Sequence, residues 1–495
     1  MTPIISGKSA IFKYSGLKYG TSYTFQMPDG VLTSRSGKAV AAATINFTTM
    51  ERQQSEARLY DAVVAADGSG DYKTMQEAVD AAPANRATPW LIFVKNGHYK
   101  EHVDIPATKP YLHIIGQDRD KAVILNDRLS GGENAYNVDP GATVTVKAKN
   151  VFFENITLEN EYGHEKQAGP QALALNTQGD RIALNNVALL SYQDTWITTS
   201  TSNNRHYIKN SLIEGAVDFI YNSGNVYLDG DTLEINRPSG GYIVAPSHAA
   251  DVKWGYVFQN NVIRPHKGVN VTDVWLGRPW HNSPKTVFIN TQTFINLPAK
   301  GWYEHMGGLP VLWADYNTVD ANGNPVDLSQ REDTYWIEVN GEKIYGKAKN
   351  FLTDEEAAQY TIKNVCGGSD NWQPDLMCEA CDAPVVKGEG STLSWQAVPY
   401  AICYVVTKNG EVAGFTKDTT FNGYTAADIW QVQAVNEYGG LSQKAMANAT
   451  TGISSLTPSP SSKGKGSEVF NLAGQKVGAD FKGLVIKNGR KMIQK

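Results

Sequence analysis

The strongest constraint on the fold of this chain is a repeat that runs from Val123 to about Phe294. Short β-rich stretches recur there around a central asparagine or other small polar residue, at intervals of 31, 24, 19, 31 and 30 residues. The central positions are Asn155, Asn186, Asn210, Asp229, Asn260 and Asn290. Self-similarity at periods of roughly 20 to 50 residues is typical of a solenoid. Because no ~10-residue helical pattern separates the stretches, they favour a parallel β-helix over an α/β barrel or a doubly wound sheet.

A β-helix places residues one coil apart in neighbouring strands of the same sheet, ~4.8 Å from each other. Asp194 and Asp218 are 24 residues apart, and Gln171 precedes Asp194 by 23 residues. We therefore predict that Gln171, Gln193, Asp194 and Asp218 converge in one patch on the outer face. The repeated asparagines receive a structural explanation instead, since they can hydrogen-bond along the stack of coils at the bends.

Such a patch has a definite chemistry. Two nearby carboxylates oppose each other's ionisation, so that one can act as a proton donor while the other is an ionised nucleophile or base. Two amide donors beside them suit an oxyanion that develops in the transition state. The combination favours acyl transfer or hydrolysis without a metal, although glycoside hydrolysis also uses carboxylate pairs. Either aspartate alone could instead be a turn former, and the joint spacing is what favours function.

The overall charge argues against a nucleic-acid partner. The 495 residues suffice for two to four domains, and their 45 basic and 50 acidic side chains give a net charge of -5, which supplies no basic field for phosphates. No apolar run approaches the roughly 20 residues of a membrane helix. The opening MTPIISGKSAIFKY lacks the apolar core of a signal peptide, so we expect any export signal to lie outside this sequence.

The potential metal ligands show no metal-binding spacing. Cys378 and Cys381 form a single CxxC without a second pair, so a disulfide among Cys366, Cys378 and Cys381 is favoured over zinc. The aspartates show no calcium-loop pattern, which weighs against a calcium-dependent lyase. Histidines are scattered without HxH or HExxH spacing, among them His164, His206, His248, His266, His281 and His305.

Four segments resemble, in order and spacing, the signature segments of the pectin methylesterases. They read GPQALALN, SYQDTW, GAVDFIYNSG and, at Trp275 to Trp280, WLGRPW. Further matches extend the resemblance over residues 59–377. The resemblance implies a right-handed parallel β-helix catalytic domain and the hydrolysis of methyl esters of galacturonate in pectin, with no cofactor.

The resemblance also implies a role for each polar residue of the patch. Asp218 would be the nucleophile that attacks the ester carbonyl, and Asp194 would protonate the departing methanol and then activate water. Gln171 and Gln193 would hold the oxyanion. Arg278 would hydrogen-bond Asp218 and keep it ionised, since a guanidinium depresses a nearby aspartate pKa by ~1 to 3 units.

Aromatic residues around the pair are expected to form the sugar subsite. Trp280 would line it, with Tyr192, Trp196 and Phe219 as further walls. The chain departs from the family pattern at Trp196, where leucine is usual, and at Asn222, which replaces a glycine. These departures affect the shape of the pocket more readily than its chemistry, so they leave the substrate preference open.

Smaller segments flank the catalytic region. Residues 1–50 resemble part of an immunoglobulin-like β-sandwich of secreted Bacteroidetes proteins. Residues 383–449 resemble a fibronectin type III domain with Trp395 and Tyr404 in its core. We interpret 450–466 as a flexible linker and 467–495 as a segment similar to a Bacteroidetes C-terminal sorting tail.

Together these observations predict a secreted, periplasmic or cell-surface pectin methylesterase, monomeric, that acts on methylated homogalacturonan. Two alternatives stay open at this point. One is a calcium-dependent polysaccharide lyase or a hydrolase on the same fold. The other is a polysaccharide-binding β-helix without activity, which intact Asp194, Asp218 and Arg278 argue against.

Overall fold

The computed structural model describes residues 4–6, 9–12, 17–34 and 36–448, and the strands at 469–471, 476–477, 483–487 and 490–494. Among these residues, three parallel sheets of ten, eight and seven strands dominate the chain. Successive coils add one strand to each sheet, which confirms the predicted all-β fold class and parallel β-helix.

The strands of the three sheets are short and follow one another in chain order. The ten-stranded sheet comprises Ala62–Val64, Trp90–Val94, Leu112–Gly116, Val151–Glu154, Ile182–Asn185, Arg205–Lys209, Asn225–Asp229, Tyr256–Gln259, Lys285–Ile289 and Leu312–Tyr316. The eight-stranded sheet comprises Gly97–Lys100, Ala122–Asn126, Thr157–Asn160, Ala188–Leu190, Leu212–Gly215, Thr232–Ile235, Val262–Pro265 and Gln292–Thr293. The seven-stranded sheet comprises Val103–Ile105, Val144–Val146, Leu175–Thr177, Trp196–Ile197, Val217–Asn222, Tyr242–Pro246 and Trp275–Gly277.

The remaining elements are short helices and antiparallel strands. The helices are Met75–Ala81, Val138–Gly141, Glu161–Lys166, Asp354–Ala357, Ile362–Cys366 and Pro374–Met377. Antiparallel hairpins pair Ile4–Ser6 with Ser9–Ile11, Ser22–Met27 with Ala43–Thr48, and Thr334–Val339 with Glu342–Lys347. Near the C-terminal end, the strands Val469–Asn471, Lys476–Val477, Gly483–Lys487 and Arg490–Gln494 form one antiparallel sheet.

Apolar side chains stack in register inside the coils. Phe153, Leu184, Ile208, Leu228 and Phe258 occupy equivalent positions of five successive strands in the ten-stranded sheet. All five are fully buried in the central core. Because side chains alternate between the two faces of a strand, one face of each strand supplies this continuous interior.

The predicted asparagine ladder is present, with one correction. Asn155, Asn186, Asn260 and Asn290 all have left-handed backbone conformations, and the amide of Asn186 donates to Asn155. Asp229 is not a member, because the strand register aligns it with Lys209, one residue before the ladder position. Gly230 stands at the ladder position with a φ of 70°, a conformation that glycine adopts without steric cost.

A helix packs against the first coil of the solenoid. Helix Met75–Ala81 begins at Thr74, whose hydroxyl accepts a hydrogen bond from the Glu77 backbone, and the Glu77 carboxylate returns to the Thr74 backbone. This capping box satisfies backbone groups that a helix end otherwise leaves unpaired. Met75, Ala78 and Val79 pack into the central core.

Residues between 387 and 446 form two antiparallel sheets that pack on the β-helix. The first sheet comprises Lys387–Glu389, Thr392–Ser394 and Thr420–Asn422, and the second Cys403–Lys408, Glu411–Thr416, Trp430–Val435 and Ala445–Met446. Trp395 and Tyr404 are buried against each other with their ring centroids 5.1 Å apart, as predicted. Ile402 and Val405 pack against Phe93 and Phe152 of the ten-stranded sheet. The predicted linker 450–466 lies outside the described residues.

The predicted disulfide is wrong. Cys366, Cys378, Cys381 and Cys403 are all free thiols. Burial among apolar side chains raises the pKa of Cys381 to about 11 and that of Cys403 to about 12, so both thiols are protonated at neutral pH.

Within the part of the chain described here, no helix has the length and apolar character needed to cross a membrane.

Candidate active site

The two aspartates lie on adjacent coils of the seven-stranded sheet. Trp196 pairs with Ile220 and Gln193 bridges to Val217, so that residues 24 apart are neighbours. The backbone N–H of Asp194 donates to the Val217 carbonyl at 3.0 Å. The observed strand pairing therefore stacks Asp194 on Asp218 across one coil, as predicted.

Both aspartates have backbone conformations that are rare for residues other than glycine. Their φ angles are 63° for Asp194 and 52° for Asp218. Left-handed conformations at such residues cost of order 1 kcal/mol or more and concentrate at functional sites. The strand register also shifts between Val217 and Ile220. The shift interrupts the usual alternation of side chains, so Asp218 and Tyr221 face the cleft while Phe219 and Ile220 enter the core.

All five polar residues predicted for the site line one cleft of about 140 Å³. The full lining consists of Gln171, Gln193, Asp194, Asp218, Tyr221, Ala245, Arg278, Trp280 and Met306. Carboxylates, amide groups and a guanidinium thus surround a single small space. A reacting carbonyl placed there would meet a nucleophile, a proton donor and amide donors together.

Arg278 binds Asp218 through two nitrogen atoms. Its Nε lies 2.8 Å from Asp218 Oδ1 and 3.2 Å from Oδ2, and its Nη2 also donates to Oδ2. The guanidinium in turn lies over the ring of Tyr242, 4.3 Å from the ring centroid. A two-nitrogen contact of this kind fixes both the charge and the orientation of the carboxylate.

The environment separates the two carboxyl groups electrostatically. Burial raises the pKa of Asp194 well above its usual range, the charge of Asp218 raises it further, and Arg278 and the Tyr221 hydroxyl oppose the rise. Burial also raises the pKa of Asp218, although the hydrogen bonds and the charge of Arg278 lower it. Arg278 therefore acts in the predicted direction, but burial outweighs it. The stronger rise at Asp194 makes that residue the better proton carrier of the pair.

Two glycines make room for the amide side chains. A Cβ atom on Gly131 would lie 1.6 Å from Gln171 Oε1, and one on Gly169 would lie 2.7 Å from Gln193 Oε1. A side chain at either position would therefore displace the amide end of its glutamine from the place it occupies here. Backbone contacts also place the glutamines, since Ser130 N–H donates to the Gln171 carbonyl at 2.8 Å.

The prediction that Trp196 and Phe219 form walls of the sugar subsite is wrong. Trp196 and Phe219 are fully buried in the central core and do not line the cleft. The indole Nε1 of Trp196 donates to Thr177 Oγ1 at 2.9 Å, which satisfies its one polar group inside the coil. Trp280 does line the cleft, whereas the half-buried Tyr192 is outside the lining set.

Sequence reasoning missed Tyr221 as a member of the site. Its hydroxyl hydrogen-bonds Asp194, and its ring meets Trp280 edge to face with centroids 5.6 Å apart. Met306, Ala245 and the Tyr242 ring under Arg278 were missed as well. Strict alternation from Asp218 places Tyr221 on the opposite face, but the left-handed φ of Asp218 and the register shift beside it bring both to the same side.

The family assignment follows from comparison with known proteins. The family model described as pectinesterase matches residues 61–369. The chain belongs to the pectinesterase family. Its members are carboxylic ester hydrolases on a parallel β-helix, and family membership makes this chain an enzyme of that class.

Relatives in this family come from bacteria and plants. Pectinesterase A of Dickeya dadantii is 31% identical over 378 residues, which cover 68% of this chain and 97% of the relative. A pectinesterase of Petunia integrifolia is 31% identical over 325 residues, or 63% of this chain and 81% of the relative. The chain spans only 31% of a longer Arabidopsis thaliana relative, the putative pectinesterase/pectinesterase inhibitor 26, at 31% identity.

Solved pectin methylesterases share the fold. The carrot enzyme superposes with a TM-score of 0.54 at 27% identity, over 64% of this chain and 96% of that one. A pectin methylesterase in complex with a hexasaccharide superposes with a TM-score of 0.52 at 26% identity, over 64% of this chain and 99% of that one.

Proposed function

We propose that this pectinesterase hydrolyses methyl esters of galacturonate residues in pectin, releasing methanol and leaving a free carboxylate. The observation that carries the proposal is the pair Asp194 and Asp218, one bound to Arg278 and both in a cleft with two glutamine amides. The solved relative bound to a hexasaccharide supports a sugar polymer as the substrate.

In the first half of the reaction, an Asp218 carboxylate oxygen attacks the ester carbonyl carbon. The carbonyl electron pair moves onto oxygen, and the amide N–H groups of Gln171 and Gln193 donate to the oxyanion. When the carbonyl re-forms, the bond to the methoxy oxygen breaks and Asp194 gives its proton to that oxygen. Methanol leaves, and an acyl anhydride links Asp218 to the sugar.

The second half regenerates the enzyme. Asp194, now a carboxylate, removes a proton from a water molecule that attacks the same carbonyl carbon. Collapse of this second oxyanion breaks the bond to Asp218, which leaves as a carboxylate stabilised by Arg278. The balance is one water consumed and one methanol and one sugar carboxylic acid formed, which gives up its proton to solvent, with Asp194 protonated again.

The electrostatics support this division of roles. Asp194 has the more strongly raised pKa, and Arg278 lowers that pKa only through its charge, so Asp194 can hold a proton. Asp218 has two nitrogen atoms of Arg278 on its oxygens, which favour the ionised form needed for attack. Trp280 offers its ring to the sugar at the edge of the same cleft.

The wider setting of the enzyme is also part of the proposal. We infer a secreted, periplasmic or cell-surface monomer from a Bacteroidetes-like multidomain protein. The resemblances of residues 1–50, 383–449 and 467–495 to accessory and sorting segments support this inference. In that arrangement the 383–449 segment is a spacer that packs on the β-helix.

Product analysis of methylated pectin treated with the protein in the presence of a chelator tests the reaction. The proposal expects methanol in proportion to new carboxylates, without unsaturated or new reducing ends. Unsaturated ends that depend on calcium would indicate the lyase alternative, and new reducing ends would indicate the hydrolase alternative. Binding of pectin without any product would indicate the non-catalytic alternative.

A further inference from the structure

A cluster of ionisable side chains lies on the eight-stranded sheet, outside the cleft. Glu214 and Glu234 are direct partners on adjacent strands, and Arg264 follows at the same position of the next strand. His266 comes immediately after that strand. Its Nδ1 atom lies 2.9 Å from Glu234 Oε1 and 3.1 Å from Glu214 Oε2. One ligand atom from each of Glu214, Glu234 and His266 falls within 4.8 Å of the other two.

The opposite oxygen of each carboxylate is fixed by other groups. Glu214 Oε1 accepts a hydrogen bond from Asn236 Nδ2 at 2.8 Å and lies 2.7 Å from His164 Nδ1. Glu234 Oε2 accepts one from Arg264 Nε at 2.7 Å. Each carboxylate therefore turns one oxygen toward His266 while its other oxygen is held. Hydrogen bonds that orient ligating carboxylates in this way are typical of metal sites.

Burial gives a second, independent indication of a ligand. The Glu214 side chain is only 2% exposed and that of Glu234 only 10%. Asn236 reaches the cluster through its Nδ2 atom, and its Oδ1 atom is buried without a hydrogen-bond partner. Two nearly buried carboxylates need compensating charge, and within this cluster Arg264 alone carries a charge that is independent of pH.

We propose that Glu214, Glu234 and His266 bind a divalent transition-metal ion, with Zn²⁺ as the representative. An imidazole nitrogen with two carboxylates is a donor set for zinc and its neighbours, whereas calcium and magnesium are held by oxygen atoms alone. Three protein ligands leave a position for water. His266 is one-third exposed, which gives an ion a route from solvent.

The site would act on the stability of the coils and not on the ester chemistry. Its three ligands come from three successive coils, and none of them lines the cleft. Asn236 Nδ2 also donates to the Ser191 carbonyl, and Thr195 Oγ1 donates to the Glu214 carbonyl. The ion would therefore tie these coils to the segment between Ser191 and Thr195, which carries Asp194.

Calorimetric titration of the chelator-treated, dialysed protein with Zn²⁺ tests the proposal without any activity assay. We expect one equivalent to bind, and His266→Gln to weaken binding at least about tenfold, as loss of even supporting groups does. His98→Gln is the matched control, because His98 is an exposed histidine on the first strand of the same sheet. It should bind as the unmodified protein does.

Two results would overturn the proposal. One is the absence of Zn²⁺ binding, which would make His266 only a hydrogen-bonding bridge between the two carboxylates. The other is binding that His266→Gln leaves unchanged, which would place the ion elsewhere. If His266→Gln alters the far-ultraviolet circular dichroism, Glu234→Gln, which keeps the side-chain shape, takes its place with the same expectation. Co²⁺ absorption should report a histidine ligand in the unmodified protein and lose that signal in the variant.

Discussion

At the scale of single residues, the site depends on how Asp194 and Asp218 are made different. Both have left-handed backbones and sit in one cleft, yet only Asp218 is paired with Arg278. Tyr221 contributes on the other side, where its hydroxyl bonds Asp194 and lowers the pKa of that residue against the effect of burial.

Tyr221→Phe is predicted to shift the pH dependence of the enzyme. Without the hydroxyl, the pKa of Asp194 rises further. Because kcat/KM for acylation requires protonated Asp194, its alkaline limb should move to higher pH. Initial rates of methanol release at low substrate across pH measure this. An alkaline limb at an unchanged pH would contradict the role of Tyr221. Because phenylalanine keeps the ring that contacts Trp280, a shift of the limb can be assigned to the loss of the hydroxyl.

Single variants should separate the structural role of Trp196 in the core from the substrate-binding role of Trp280 in the cleft. Trp196→Leu leaves a cavity in the core and should cost about 2–4 kcal/mol of unfolding free energy with KM unchanged, by analogy with other large-to-small core changes. Trp280→Ala should raise KM several-fold with a smaller change in stability, because Trp280 lines the cleft. Urea unfolding and steady-state kinetics measure both. A raised KM in the Trp196→Leu variant with unchanged stability would contradict the core role of Trp196 and indicate that it contacts substrate.

At the scale of strands and coils, the asparagine ladder stabilises the bends. Asn186 combines a φ of 49° with an amide that donates to Asn155. Asn186→Ala should cost about 2 kcal/mol, the sum of the left-handed strain and the lost hydrogen bond. Asn186→Gly loses the side-chain hydrogen bonds to Asn155 and Arg119 but keeps an unstrained backbone, so it should cost less. Equal losses in the two variants, measured by urea unfolding, would contradict the contribution of backbone conformation.

The elements also explain which parts of the site the sequence could predict. The coil period was readable from the repeat, so the positions of Gln171, Gln193, Asp194 and Asp218 followed from spacing. Phe219 was misplaced because the alternation fails where Asp218 is left-handed and the strand register shifts. Tyr221 was missed for the same reason. Side-chain periodicity assumes a regular strand, and a functional strand that stores strain departs from it.

At the scale of the whole molecule, the two antiparallel sheets between residues 387 and 446 bury the side chain of Glu154 against the β-helix. Glu154 ends a strand of the ten-stranded sheet and lies beneath Gly440 and Leu441. Burial raises its pKa from 4.5 to about 7. The folded protein therefore holds this proton more tightly than the unfolded chain. Its contribution to stability is full below pH 4.5 and is lost as the pH rises through about 7.

Glu154→Gln should remove this pH dependence. Other groups titrate over the same range, including His113, whose pKa burial lowers to about 4 and whose contribution has the opposite sign. The quantity to measure is therefore the difference in unfolding free energy between the unmodified protein and Glu154→Gln from pH 4.5 to 8. We expect the unmodified protein to lose stability relative to the variant as the pH rises. A constant difference would contradict the buried acid.

The central claim for the whole enzyme is that Asp218 attacks the ester, and methanol release by Asp218→Ala tests it most directly. We predict a loss of at least about a thousandfold in kcat, the scale seen when a nucleophile is removed from a site whose other groups remain. Asp120→Asn, at an exposed aspartate, should keep the unmodified rate. Methanol release by Asp218→Ala within tenfold of the unmodified protein, with its fold intact, would contradict the account.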